Sequence, residues 1–369
     1  MKRRDFFKLV GTGAAAAVLA PSVSRASALP LNQAKWRGYQ LTYQITLPAA
    51  GKVAKLWLPL PDTNDTIYQF TQGSNWSGKA TASAFYMLPG TSSPVFFATW
   101  QKGEERTVKV SSIVKTAYRT ADLSFYQAPA KASIPQNIKR YLQPTSQIPL
   151  DNTVKKIAHF VTSQANARTH LQQARAIYDW MINNVTYDNS VRGQGRGDIR
   201  SMLAGGENLS GKCADIHSLF VGLARASGIP ARIQYGIRIG ESSLNKNLGK
   251  SGDVSTSQHC QAEFYLSGFG WVPVDPSDVA KVMALESLPS NHDSISQLRE
   301  KLFGSWEMNW VAFNDGENVD LGKACAAGKL PFFLYPHAEI DGRQQDSLEP
   351  ESFSYKITSA TLVGTGAKL

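Results

Sequence analysis

The chain has 369 residues, 42% of them apolar and 18% charged, with 18 Pro and 29 Gly spread without period. That composition excludes a disordered, collagen-like or repeat-array protein, and the length allows two domains or one domain with an elaborated flank. The formal charge of +10 falls to +6 once residues 1–28, with five basic residues and one acid, are set aside. No dense basic run follows, so no nucleic-acid partner is expected.

Those first residues read as an address. Lys2-Arg3-Arg4-Asp5-Phe6-Phe7-Lys8 precedes a weakly apolar stretch, Leu9 to Ala20, and then Ala26-Ser27-Ala28. Paired arginines, a short apolar region and a small-x-small site describe a twin-arginine signal peptide over 1–28. The stretch is too short and too rich in Ala and Gly to span a bilayer, so no transmembrane segment is expected in the mature chain. The expected location is periplasmic or extracellular.

Residues 29–130 are expected to form a β-rich N-terminal domain. Tyr39 to Leu47 alternates polar and apolar, Ala54 to Leu60 repeats the pattern, and Val95 to Trp100 and Thr107 to Val114 follow. Short strands at this spacing predict an antiparallel sheet or sandwich. From Ser133 to Pro149 the chain is a Pro-containing connector. Helical periods follow: Val154, Ile157, Ala158 and Val161 behind an Asp151 or Asn152 cap, then Leu171, Ala174, Tyr178, Met181 and Val185. A Gly-rich loop, Ser190 to Gly197, leads to a short apolar stretch.

In Gly211-Lys212-Cys213-Ala214-Asp215-Ile216-His217-Ser218-Leu219-Phe220 a helix is predicted to start at Cys213, with Ile216, Leu219, Phe220 and Leu223 on one face and Gly228 and Pro230 stopping it. Ile233 to Ile239 alternates as a strand. Residues 259–266 and 269–274 read as a hairpin around Ser267-Gly268-Phe269-Gly270. Trp310 to Phe313 and Phe332 to Tyr335 are strand-like pieces of the tail.

The chemistry concentrates at three places. A thiol at a helix start meets unpaired N–H groups and the positive end of the dipole, which favour thiolate and can hold an oxyanion. His259 opens the hairpin and Asp275 closes it; centred near residue 267, the hairpin sets them directly opposite, where a carboxylate can orient an imidazole. The chain has three cysteines, Cys213, Cys260 and Cys325. An odd, small number is no disulfide framework, and the residues leave open whether Cys260 and Cys325 pair.

Gly211 to Phe220 with Ala224-Arg225-Ala226-Ser227-Gly228-Ile229-Pro230-Ala231-Arg232 resembles the cysteine motif of the bacterial transglutaminase-like superfamily. His259-Cys260-Gln261-Ala262-Glu263-Phe264 and Gly268-Phe269-Gly270-Trp271-Val272-Pro273-Val274-Asp275-Pro276-Ser277 resemble its histidine and aspartate motifs. The resemblance implies an α+β protein with a papain-like core, helices packed on an antiparallel sheet. It implies catalytic Cys213, His259 and Asp275, no cofactor and no metal, and acyl transfer from a protein or peptide amide through a cysteine thioester. Many relatives carry tryptophan where this chain has Gln261, a difference that bears on the wall of the substrate pocket.

Together these readings predict a catalytic core over 131–280 and a C-terminal extension, 281–369, packed on it. The substrate expected is a protein or peptide of the cell envelope. Two rivals remain at this level: a binding protein that keeps the fold without turnover, and a metal site from Cys213, His217, His259 and Cys260. Against the latter, adjacent strand residues point to opposite faces. Gly206 to Cys213 mimics a phosphate-binding loop but puts Cys where Ser or Thr must hold magnesium.

Overall fold

The computed structural model describes residues 35–362, apart from 64–65, 90, 131–132, 207 and 350–352. The expected signal at 1–28 lies outside the described residues. Among the described residues no helix is long and apolar enough to cross a membrane.

Alternation at the front of the chain produces a two-sheet sandwich. Strand Arg37–Thr46 buries Tyr39, Leu41, Tyr43 and Ile45 on one face, the period-2 pattern of a pleated strand. It pairs antiparallel with Thr107–Thr116 and Ser354–Thr361, and Gln69–Gly78 and Gly252–Asp253 form the two edges. In the second sheet Ala54–Pro59 lies between Pro94–Trp100 and His337–Ile340, with Ala82–Met87 and Arg343–Gln345 at the edges. Each sheet thus takes strands from the end of the chain. The tail expected to pack on the core divides instead: Trp310–Asn314 joins the core sheet, while the strands after residue 336 complete the sandwich.

The described helices are α1 (Asn152–Gln164), α2 (His170–Asn184), α3 (Ile199–Leu203), α4 (Cys213–Ala226), α5 (Pro276–Glu286) and α6 (Asp293–Lys301). Asp151 caps α1 by accepting the N–H groups of Thr153 and Val154 at 3.0 and 3.1 Å; Thr169 and Gln172 form a capping box on α2. Helix α4 is buried from Cys213 through Arg225, not along one face alone. Helices α1 and α2 cover one side of it, and strands Ala231–Arg238 and Gln258–Leu266 the other. A helix enclosed in this way is the axis of its domain.

The core sheet is antiparallel, in the order Gly270–Val274, Gln258–Leu266, Ala231–Arg238, Trp310–Asn314. Its hairpin corrects the expected register. Leu266 pairs with Gly270 and Ala262 with Val274, so the turn centres on Gly268, not residue 267. Gly268 lies in the left-handed region at φ +79°, as a three-residue hairpin loop requires. Asp275 therefore falls one step past the Ala262–Val274 pair, abreast of Gln261 and diagonal to His259. Phe332 to Tyr335, expected as strand, is irregular: Phe333 enters the cluster around Trp57 and Leu321, while Leu334 enters the helical core.

Candidate active site

Short strand Leu209–Gly211 pairs parallel with Val185–Tyr187, Gly211 facing Tyr187, and delivers the chain into the first turn of α4. Asp215, in that turn, accepts the Lys212 N–H at 3.1 Å. Its other oxygen accepts the N–H groups of Arg196 and Gly197, both at 2.9 Å. One carboxylate thus ties the Gly-rich loop to the helix start. The approach leaves no room for side chains: a Cβ on Gly195, which sits at φ +92°, would lie 1.9 Å from Asp215 Oδ2, and one on Gly211 2.6 Å from Asp215 Cβ. The loop so held presents Gln194, whose Oε1 accepts the Cys213 thiol at 3.2 Å.

The Cys213 sulfur sits close enough to the His259 ring for the two to interact electrostatically. His259 donates from Nε2 to Asp275 Oδ2 at 2.8 Å, which leaves Nδ1 as the nitrogen for the sulfur. The structure therefore brings together Cys213, His259 and Asp275, all three expected from the sequence, although the last two meet diagonally. Asp275 is fully buried and caps α5, accepting the Asp278 N–H at 2.8 Å, with Pro276 in the first turn. A carboxylate at a helix N-terminus is stabilised as the anion.

A second histidine shares that carboxylate. His217 Nε2 lies 3.1 Å from Asp275 Oδ1, and its Nδ1 lies 3.5 Å from Cys260 Sγ, which in turn adjoins Cys213. Gln261, placed by the family resemblance at the pocket wall, is buried and donates to Asp275 Oδ2 at 3.4 Å. Beyond them Arg238 pairs with Asp278, whose other oxygen is 3.6 Å from His259 Nε2.

Burial alone would hold the Cys213 thiol protonated. Hydrogen bonds from Cys260 and His259, then the fields of His259 and His217, outweigh it and set the thiol well below its ordinary value. For His259, burial and Arg238 pull downward, but Asp278, Asp275 and the hydrogen bond to Asp275 push it up to about 9. Burial opposes the Asp275 anion, yet the two histidines hold it well below the usual carboxylate range. Burial and the adjoining Cys213 sulfur push Cys260 well up, so negative charge settles on Cys213. The favoured state is a thiolate beside an imidazolium.

The metal set weighed from the sequence, Cys213, His217, His259 and Cys260, does not assemble among the described residues. His259, Asp275 and Asp278 are close enough to share an ion. Arg238 on Asp278 and the histidines on Asp275 already balance those carboxylates.

An activated sulfur at a helix start, an imidazole from a neighbouring strand and a carboxylate behind it, on helices packed against an antiparallel sheet, define a thiol-dependent enzyme fold. The chain belongs to the transglutaminase-like superfamily, whose family model matches residues 155–276, the stretch that holds all three groups. A protein of Haemophilus influenzae, described only as uncharacterized, is 34% identical over 337 residues, spanning 87% of this chain and 90% of its own. The crystal structure of a candidate cysteine protease from Cytophaga hutchinsonii shares the fold, with a TM-score of 0.57 at 15% identity over 89% of this chain and 91% of that one. The periplasmic domain of TgpA from Pseudomonas aeruginosa aligns over 74% of this chain and 96% of its own, at 16% identity and a TM-score of 0.34.

Sequence reasoning missed Gln194, and it placed His217 near Cys213 as a metal-ligand candidate but not as a partner of Asp275. The i to i+4 spacing of Cys213 and His217 was a usable signal, because both project from one side of α4. Gln194 had none beyond its place in a Gly-rich loop.

Proposed function

We propose that the protein is a cysteine acyl-transfer enzyme that acts on a carboxamide or peptide bond of a cell-envelope protein or peptide, after export by the twin-arginine route. One observation carries this reading: at the start of α4 the buried Cys213 sulfur lies beside His259, whose Nε2 is 2.8 Å from Asp275 Oδ2. The thiolate attacks the carbonyl carbon, and the oxyanion is met by the Cys213 backbone N–H, which the helix start leaves unpaired, and by the Gln194 amide. In the thiol form Gln194 accepts from sulfur; facing a thiolate or an oxyanion, the same amide serves by presenting Nε2–H.

Collapse of the tetrahedral intermediate expels the amine, which takes its proton from His259, and leaves a thioester on Cys213. Water or a primary amine then attacks that thioester while His259 takes the incoming proton and Asp275 stabilises the resulting imidazolium. The products are a hydrolysed amide in the first case and a transamidated one in the second.

The test incubates purified protein with peptide libraries, with and without a labelled primary amine, and reads products by mass spectrometry. Cut or amine-bearing products are expected, absent in Cys213→Ala; no product from any amide would overturn the reading. Export is tested by replacing Arg3 and Arg4 with Lys and fractionating cells: the protein is expected to stay in the cytoplasm.

A further inference from the structure

Far along the chain from the reacting sulfur, a second cluster of ligand-type side chains has no part in this chemistry. His337 and Glu339 are two apart on strand His337–Ile340 and so share a face. The loop between the short paired strands Val319–Asp320 and Lys329–Leu330 brings Cys325 over them. Cys325 Sγ lies 3.3 Å from Glu339 Oε1 and 3.6 Å from His337 Nε2, and His337 Nε2 lies 3.3 Å from the same oxygen. Cys325 is 9% exposed, His337 5% and Glu339 1%.

Hydrogen bonding within the cluster does not account well for this convergence. Glu339 Oε1 already accepts the Ala327 N–H at 2.9 Å, and the Ala326 N–H is shared between Oε1 at 2.8 Å and Oε2 at 3.0 Å, which leaves Oε1 room for one further partner, not two. A thiol and an imidazole converging on the same atom overload it. Around a tetrahedral zinc-class ion, with bonds of about 2.3 Å to sulfur, 2.0–2.1 Å to nitrogen and 2.0–2.2 Å to oxygen, neighbouring ligand atoms stand about 3.3–3.6 Å apart. The sulfur–nitrogen and nitrogen–oxygen separations fall on those edges, and the sulfur–oxygen one is about 0.2 Å short of its own.

We propose that Cys325, His337 and Glu339 bind a divalent transition-metal ion of the zinc class, with water as the fourth ligand. A thiolate, imidazole and carboxylate set favours such an ion over calcium or magnesium, which take oxygen ligands. Binding releases the Cys325 proton to solvent as the sulfur–metal bond forms. The Ala326 and Ala327 N–H groups become the outer support that orients the ligating carboxylate.

The ion acts as a clamp. Between its ligands runs the segment Phe332 to Tyr335. Phe332 stacks on Tyr235 with ring centroids 5.1 Å apart and planes at 14°. The Tyr335 hydroxyl reaches the loop at Gly193 and Gln194. Fixing both ends of this segment braces the loop that carries Gln194.

The test strips the mature protein with a chelator and adds zinc or cobalt(II). Retention of one ion per chain is expected. Cobalt should give a thiolate-to-metal charge-transfer band that persists in Cys213→Ala and disappears in Cys325→Ser. Glu339→Gln and His337→Gln should each weaken zinc binding about tenfold or more, and zinc should raise the melting temperature of Cys213→Ala but not of Cys325→Ser. Should Cys325→Ser fail to fold, protection of Cys325 from alkylation by zinc in the wild-type protein, read by peptide mass spectrometry, makes the same test. Failure to retain metal, absence of that protection, or a thiolate band that vanishes with Cys213 and not with Cys325, overturns the proposal.

Discussion

At Asp275 a single carboxylate serves two histidines, and the pH behaviour of the site follows from that sharing. The active pair forms as pH rises through the depressed value of Cys213 and is lost when His259 releases its proton. Activity should therefore be flat across neutrality and fall on a basic limb near pH 9, the value to which His259 is pushed. The stability linked to His259 has the same sign: raised in the folded state, it stabilises fully below its ordinary value of about 6.5 and loses that contribution as pH climbs towards 9. Asp275 has the opposite sign, stabilising above its unfolded value and losing that contribution as pH falls through its depressed folded one. Asp275→Asn should lower kcat by about three to four orders of magnitude, since the amide neither stabilises the imidazolium nor selects its tautomer. The basic limb should move to lower pH in the same variant; a pH–rate profile with an unmoved limb would show that the carboxylate does not govern His259. Cys213→Ala should abolish labelling by an iodoacetamide probe near neutral pH, because Cys260 is held as a thiol and Cys325, pushed up to about 11 when metal-free, is either a thiol or bound to the ion. Cys213, His259 and Asp275 were legible because reactive residue types at element boundaries carry a signature. His217 was legible as a neighbour of Cys213 on the helix face but not as a partner of Asp275, because the sequence does not show which carboxylate the helix packs against.

The loop from Ser190 to Gly197 and the first turn of α4 function as one element, joined by Asp215. Gly195→Ala should disorder this junction, because a Cβ there would lie 1.9 Å from the Asp215 carboxylate in a backbone conformation at φ +92° that L residues avoid. The expected outcome is a loss of kcat of at least about tenfold with the sheet and helices intact by circular dichroism; full activity would mean that Gln194 is not positioned by this loop. Asp215→Ala removes three backbone hydrogen bonds at once and should cost about 1–3 kcal/mol, read as a lowered denaturation midpoint. Element boundaries were readable where periodicity or a cap was strong, as at Asp151, Cys213 and Gly228. Strands Gln69–Gly78 and Ala82–Met87 were invisible for a physical reason. Both lie at sheet edges, where one neighbour supplies the backbone hydrogen bonds and polar residues such as Gln72, Ser74 and Asn75 can face water. The hairpin register failed because Gly268 in the left-handed region adds a residue to the turn, and diagonal contact still let His259 reach Asp275.

At the scale of the whole molecule, sandwich and core share one interior. Ile237, Ile239, Val254, Val311 and Phe313, from the core sheet and its flanking loop, lie in the same apolar cluster as Leu41, Ile45 and Phe96 of the sandwich. The last strands of the chain close both front sheets, Ser354–Thr361 against Arg37–Thr46 and His337–Ile340 against Ala54–Pro59. A sequence scan sees β-rich and helical segments in succession and divides them, because it cannot see which apolar faces meet. A fragment of residues 131–280 would lose strand Trp310–Asn314 and expose Ile237, Ile239 and Val254, now at most 1% accessible. Each such side chain is worth about 1.5–3 kcal/mol, against a total of about 5–15 kcal/mol for an ordinary domain. The fragment should therefore show no cooperative melt, whereas the chain from residue 29 should unfold in a single calorimetric transition. Two separable transitions, one of them retained by the fragment, would mean that the shared cluster does not couple the halves. In that case the tail's hold on the Gln194 loop would rest on the direct approach of the Tyr335 hydroxyl to Gly193 alone.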